Sequence, residues 1–517
     1  MKKTWVTLLA TTALTFAVTG SALPSYAANS AAKTLATAPN LENAFTAAAK
    51  EFGVPKELLM AVSYTESRWQ MDAELDTKDH GNGNGLMHLS DKSVKKSLSD
   101  TAKALGVNAK QLENDPALNI RGGAFVLAQA QKNLGKQLTN NVNDWYEAVA
   151  SFEGASDKQS AVLFADEVYR ILKEGTSLTI EGGTLSVAAN KAIAPNKGQY
   201  AGVTYGLGVT PDATPDYPGA IWNAASTSNY QAATRPTSNP INYVIIHDTE
   251  GSYSGSINWF KDPTAQVSAH YVVRSSDGQI TQMVQEKDIA WHARSFNTNG
   301  VGVEHEGYEA QTGWYTDAMY TSSAALVKSI CQRYGIPMDR DHILSHSELW
   351  GNDHTDPGAN WDWNKYMTKI TGVSKNWTVI NVDDKDTASG AFTLYGSSQY
   401  WHPVTGYGLH NEINYTNGNG SVIYNYAIWK PTIPTAGNYE VKVFIPSNYA
   451  GTTAAKYEIH YNGGTVTKTV NQSAYSNQWV SLGTYNFAVG TGGYVKLGDN
   501  TGDTNTVAFD TIRFMGQ

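Results

Sequence analysis

The chain has 517 residues, of which 41% are hydrophobic and 16% charged, and its formal net charge is -9. That length exceeds what one core can organise and suggests about three domains, while the ordinary apolar content excludes long disorder. An acidic chain gains nothing from phosphate attraction, which excludes nucleic acid as its principal partner.

The chain opens MKKTWVTLLATTALTFAVTGSALPSYA, with Lys2 and Lys3, an apolar run, and Ser25-Tyr26-Ala27 as a small-x-small cleavage signal. Residues 1–27 read as a secretory signal peptide, whose removal leaves a secreted, cell-wall-associated chain two charges more negative. No later run reaches the roughly 18 apolar residues of a membrane span, so no membrane anchor is expected. The single cysteine, Cys331, allows no intramolecular disulfide, and its place in SSAALVKSICQRYG at helical spacing reads as a buried core thiol.

Residues 40–175 carry 3.6-residue apolar periodicity, as in LENAFTAAAKEFGVPKELLMAVSYTESRW, and predict an all-helical domain. Glu66 ends one such apolar stretch. A carboxyl partly buried against aromatics can stay protonated as an acid for glycosidic cleavage, the alternative being an ordinary helix-end carboxylate. Residues 176–215, rich in Gly, Ala, Pro, Asn and Thr, read as a linker. Over 216–372, β-branched runs (YVIIH, AHYVVR, GVGVEHEG) alternate with helical patterns, predicting an α/β domain around a central mixed sheet. Over 376–517, Tyr-, Val- and Thr-rich runs punctuated by Gly and Asn predict an all-β sandwich. Its aromatics (Tyr400, Trp401, Tyr407, Tyr424, Tyr426, Trp429, Trp479) read as strand core ahead of sugar-stacking platforms.

The strongest chemistry lies in the middle domain. His247 follows Val244-Ile245-Ile246, His346 follows Ile343-Leu344, and Asp356 sits in the turn-rich DHTDPG. Two imidazoles and a carboxylate make a three-ligand zinc site whose fourth position is left for water. Amide hydrolysis also needs a proton carrier and an oxyanion donor. Glu304, in Gly302-Val303-Glu304, is the candidate general base and acid, and His354 the candidate oxyanion stabiliser. Trp291 and His292 in AWHA are candidate substrate contacts, with structural packing as the other reading of His292. His270, His305 and His342 read as surface or hydrogen-bonded core histidines.

In that order, IIHDTEG, SAHYVV, AWHA, GVGVEHEG, LSHSEL and DHTDPG resemble the zinc-dependent N-acetylmuramoyl-L-alanine amidases of the type-2 amidase and peptidoglycan-recognition-protein superfamily. The resemblance implies zinc ligation by His247, His346 and Asp356 and catalysis by Glu304. Where some relatives carry lysine, this chain has His354, a weaker charge that makes oxyanion stabilisation pH-dependent. Binding-only relatives lack the third ligand, so Asp356 favours catalysis over a non-catalytic peptidoglycan recognition protein. GVPKELLMAVSYTESRW, GLMHL and DPALNIRGGAFVLA resemble the lysozyme-like fold of lytic transglycosylases and imply Glu66 as the catalytic acid. This chain departs from that pattern with His88 after GLM and with Ser151-Phe152-Glu153-Gly154. The ending resembles golvesin C-terminal, carbohydrate-binding-like sandwiches. The expectation is a monomeric, secreted bacterial peptidoglycan hydrolase that holds cell-wall glycan through its C-terminal domain. A bifunctional enzyme that also cuts glycan through Glu66 is the alternative.

Overall fold

The computed structural model describes residues 37–71, 83–91, 97–203, 205, 214–352 and 354–517, and the leader expected over 1–27 lies outside the described residues. Helix α1 (Ala38–Phe52) buries Leu41, Phe45, Ala48 and Ala49, one stripe at helical spacing, and ends at Gly53, whose φ of 68° closes the last turn. Then follow α2 (Lys56–Ser67), α3 (Leu98–Leu105), α4 (Ala109–Asn114), α5 (Pro116–Asn133), α6 (Tyr146–Phe152) and α7 (Lys158–Glu174). Asp115 and Asp157 start α5 and α7 by accepting from the first free backbone N–H groups.

The stretch expected to be a linker is folded in its first part. Strands β1 (Thr176–Ile180) and β2 (Gly183–Val187) form an antiparallel hairpin. Along β2, Leu185 and Val187 are buried while Thr184 and Ser186 face solvent, and Ala38 N donates to Glu181 O, which fastens the hairpin to α1. Ile193 and Tyr200 join the same helical core, so composition there reflected turns rather than a tether.

The α/β domain comprises β3 (Ala220–Trp222), β4 (Tyr230–Gln231), β5 (Tyr243–Ile246), α8 (Tyr253–Lys261), β6 (Tyr271–Val273), β7 (Ile280–Gln282), β8 (Ile289–Ala290), β9 (Gly300–His305), α9 (Asp317–Tyr334), β10 (Ile343–Ser345) and α10 (Trp363–Thr371). Its mixed six-stranded sheet has the order β10-β5-β9-β6-β7-β3, with β10, β5, β9 and β6 parallel and β7 antiparallel to β6. Val244, Ile246, Val301 and Val303 bury one face against α9 and α10, where Cys331 is a core thiol that burial pushes up to about 12. The parallel strands all end on one edge, which is where ligands gather in such sheets.

The C-terminal region is all antiparallel, in four-, five- and three-stranded sheets around Trp429, Tyr439, Tyr457 and Phe514. Of the aromatics read as core, Trp429 is fully buried, whereas Tyr400 and Tyr424 are 55% and 62% exposed. Among the described residues, no helix is long and apolar enough to cross a membrane.

Asp383, Asp384 and Asp510 lie buried in this region with carboxylate oxygens within 4.8 Å of one another. Burial, reinforced by the neighbouring carboxylates, pushes Asp384 up to about 9 and Asp510 up to about 7. Each keeps a proton in the folded chain where the unfolded chain, at about pH 4, has already lost it. Stability is therefore highest below the unfolded value and falls as pH rises toward 7 for Asp510 and 9 for Asp384. Asp384→Asn is expected to flatten that fall, by up to about 1 kcal/mol per pH unit, read by calorimetry of the sandwich transition between about pH 5 and 8. An unchanged slope would mean that Asp384 titrates normally.

Candidate metal centre

His247 is the first residue past β5, and its backbone continues the pairing with β9: His247 N donates to Val303 O at 2.9 Å and His305 N to His247 O at 3.1 Å. A rigid strand end thus aims the imidazole. His346 follows β10 in the same way and opens a short 3-10 turn, which Ser345 and Glu348 close by capping each other's backbone N–H. Asp356 arrives from the loop after that turn. Asn352 Nδ2 holds the loop by donating to His346 O (2.8 Å) and His354 O (3.1 Å), and Ser347 N donates to Asp356 O (3.2 Å).

The three expected ligands converge. His247 Nδ1 lies 3.1 Å from Asp356 Oδ2 and His346 Nδ1 2.9 Å from Asp356 Oδ1, and one ligand atom from each residue lies within 4.8 Å of the others. Burial, followed by His346, pushes His247 down to about 4, so its ring is neutral near pH 7. Burial also works to raise the Asp356 carboxyl, but His346 and His247 outweigh it and hold it well below the usual carboxylate range. The neutral His247 ring and the ionised Asp356 carboxylate, with the His346 imidazole beside them, are a donor set that suits a borderline divalent cation.

A cavity of about 270 Å³ opens beside them, lined by His247, Trp291, His292, Glu304, His346 and His354 among others. Glu304, next to last on β9, is 6% exposed, and its Oε2 is buried without a hydrogen-bond partner. Burial, then Asp356, pushes its carboxyl well above the ordinary value. The His354 ring stacks on His346 with centroids 4.3 Å apart. Trp291 forms part of the wall, its backbone N–H donating to Ser268 Oγ at 3.3 Å.

His292 has a partner that the sequence did not show: its Nδ1 lies 2.9 Å from His247 Nε2. His247 Nε2 and His292 Nδ1 share one proton across that distance, and the contact fixes the tilt of the His247 ring. Glu66 is not brought to this cavity. It is fully buried at the end of α2, with Oε2 3.3 Å from His88 Nδ1. His270 and His305 are structural, as read: His270 Nδ1 accepts from Gly302 N, and His305 lies between His247 O and Ser323 Oγ.

Two features escaped sequence reasoning. Asp248, beside His247 in HDTEG, is buried with Tyr315 Oη 2.7 Å from its Oδ2, and burial, then Glu250, pushes its carboxyl well up. Its adjacency to a ligand was the available signal. Glu348, two residues past His346, takes both Nη2 contacts of Arg340 (2.8 and 2.7 Å) and lies 4.0 Å from Arg513 of the sandwich. No local spacing points to Arg513.

The family model described as N-acetylmuramoyl-L-alanine amidase matches residues 237–359, that described as transglycosylase SLT domain 43–162, and that described as golvesin C-terminal domain 380–516. The chain is 44% identical over 178 residues to N-acetylmuramoyl-L-alanine amidase A of Achromobacter lyticus, a stretch covering 31% of this chain and 98% of that protein. It is 34% identical over 113 residues to the 1,6-anhydro-N-acetylmuramyl-L-alanine amidase AmpD of Haemophilus influenzae, covering 20% of this chain and 59% of that one. Among solved structures, the endolysine N-acetylmuramoyl-L-alanine amidase LysCS from Clostridium intestinale URNW is 19% identical, covering 30% of this chain and 98% of that chain with a TM-score of 0.25. With its residues 237–359 matched by the amidase model and nearly the whole length of the Achromobacter lyticus relative covered, the chain belongs to the N-acetylmuramoyl-L-alanine amidase family.

Proposed function

We propose that the protein is a secreted, zinc-dependent peptidoglycan hydrolase that cuts the amide bond between N-acetylmuramic acid and L-alanine. The observation that carries this reading is the meeting of His247, His346 and Asp356 beside a cavity that also holds the unpartnered Oε2 of Glu304. His247, His346 and Asp356 would hold the zinc, which when bound supplies Lewis-acid polarisation of the scissile carbonyl and acidifies water. Glu304 takes the proton from the attacking water and passes it to the leaving amine. Its burial beside Asp356 suits this, because a carboxyl with a raised pKa holds a proton long enough to deliver it. His354, stacked on His346 at the cavity, donates a hydrogen bond to the developing oxyanion. His292 positions His247 from behind, and Trp291 offers a flat apolar wall for the muramyl peptide. The leader-like start supports export, and the golvesin-like sandwich supports attachment to wall glycan.

Glu304→Gln keeps the shape of the side chain and removes its basicity. It is expected to lower kcat for stem-peptide release by roughly 10²–10⁴-fold while bound zinc stays at the wild-type level. Retained amide cleavage with zinc loaded would sink the assignment of Glu304. Asp356→Ala is expected to lose zinc by elemental analysis, together with activity that added zinc does not restore; stoichiometric zinc in that variant would remove Asp356 from the ligand set.

A further inference from the structure

Glu66 occupies the place of a glycan-cutting acid by resemblance, yet its surroundings in this chain are those of a joint. The carboxyl is fully buried, with His88 Nδ1 at 3.3 Å. Above it sits Tyr308 of the α/β domain, 2% exposed, whose Oη donates to the Glu66 main-chain carbonyl at 3.2 Å and lies 3.4 Å from His88 Nε2. Two residues beyond Glu66, Arg68 donates through Nη1 to Gly313 O and through Nη2 to Ser275 Oγ at 2.6 Å, with its guanidinium 3.9 Å above the Trp314 ring. A general acid must come within roughly 2.6–3.2 Å of the oxygen it protonates. Among the described residues, the fully buried Glu66 carboxyl is offered no such approach while the two domains stay joined.

Parting them means more than opening a latch. Leu163 of α7 shares a core with Tyr253, Ile257 and Phe260 of the α/β domain, and Asp157 pairs with Lys261 at 2.5 Å. The joint also leads toward the amidase cavity. Ser275, which receives Arg68, donates its N–H to Glu306 Oε2 at 2.7 Å, and Tyr253 N donates to Glu306 Oε1 at 3.0 Å. Glu306 is the residue just past β9, two places after Glu304.

We infer that the Glu66 cleft of the helical domain is an interdomain joint closed by Tyr308, that Glu66 cuts no glycan in this chain, and that Arg68 is a positioning residue for Glu304 acting through Ser275 and Glu306. The positioning half rests on the amidase reading above; the joint itself does not.

The test uses the full chain, zinc-loaded, on purified peptidoglycan, with hydrogen exchange as a readout independent of activity. Wild type is expected to yield no glycan-cleavage muropeptides. Their appearance in wild type and loss in Glu66→Gln would overturn the closed cleft. In Arg68→Ala, exchange over residues 306–315 is expected to rise and kcat for stem-peptide release to fall roughly 10-fold with KM and zinc content unchanged. Exchange equal to wild type would overturn the joint, and an unchanged kcat would overturn the positioning role. Raised exchange in a chain that releases no stem peptide even as wild type upholds the joint and fails the amidase reading instead.

Discussion

One carboxylate organises the centre of this molecule. Asp356 offers one oxygen to His247 Nδ1 and the other to His346 Nδ1, and all three residues are buried. Burial alone would raise the Asp356 carboxyl, and a protonated carboxyl could neither accept from the two imidazoles nor serve as an anionic donor to a cation. The imidazoles keep the carboxylate ionised, and burial keeps His247 neutral. The imidazoles thus set the protonation state of the carboxylate between them, and the arrangement holds only while their separations hold. The parallel strands meet that demand for the histidines, because β5 and β10 are neighbours and each ends just before its histidine.

Asp356 has no strand to stand on, and this is where the surrounding domains matter. Its loop hangs from Asn352 and Ser347, and the turn bearing Ser347 is tied through Glu348 to Arg340, with Arg513 nearby. A buried ion pair is poor evidence for stability, since desolvation cancels much of the attraction. Its value here is directional: Glu348 also caps Ser345 N at 2.8 Å, so the pair fixes the turn that His346 opens. Arg340 lies over Trp363 at 3.3 Å and Arg513 over Trp479 at 4.2 Å, which pins both guanidinium planes. The helical domain holds the segment leaving β9 in a comparable way, through Arg68 on Ser275 and Ser275 N on Glu306.

Much of this was legible in the chain because it is local. Apolar runs ending in histidine marked β5 and β10, and the order of the short motifs placed Glu304, Trp291 and His354 around the cavity that the fold forms. What could not be read shares one physical property: it depends on side chains meeting across domains or across the sheet. Nothing in YTESRW tells that Tyr308 will lie over Glu66, and nothing near His292 tells that its partner is the His247 ring. The hairpin after α7 was hidden for a different reason. A short strand pair with one buried edge has the same Gly- and Thr-rich composition as a tether, and only the alternation at Leu185 and Val187 distinguishes it.

The same cross-domain contacts bear on what the sandwich does. A module on a flexible linker raises the local concentration of substrate and leaves its orientation free. This sandwich is fastened to the α/β domain by Lys442 on Asp341 at 2.6 Å, by Gly351 N on Leu409 O at 2.6 Å, and by His410 against Ser347 O at 3.4 Å. Two of these contacts fall on the segment between His346 and Asp356, so the sandwich is part of the wall that shapes the Asp356 loop. Its exposed aromatics, Tyr400 and Tyr424, consequently stand in a set direction from the cavity. A polymer held there would gain orientation as well as concentration, and its reach to the cavity would depend on strand geometry rather than on linker length.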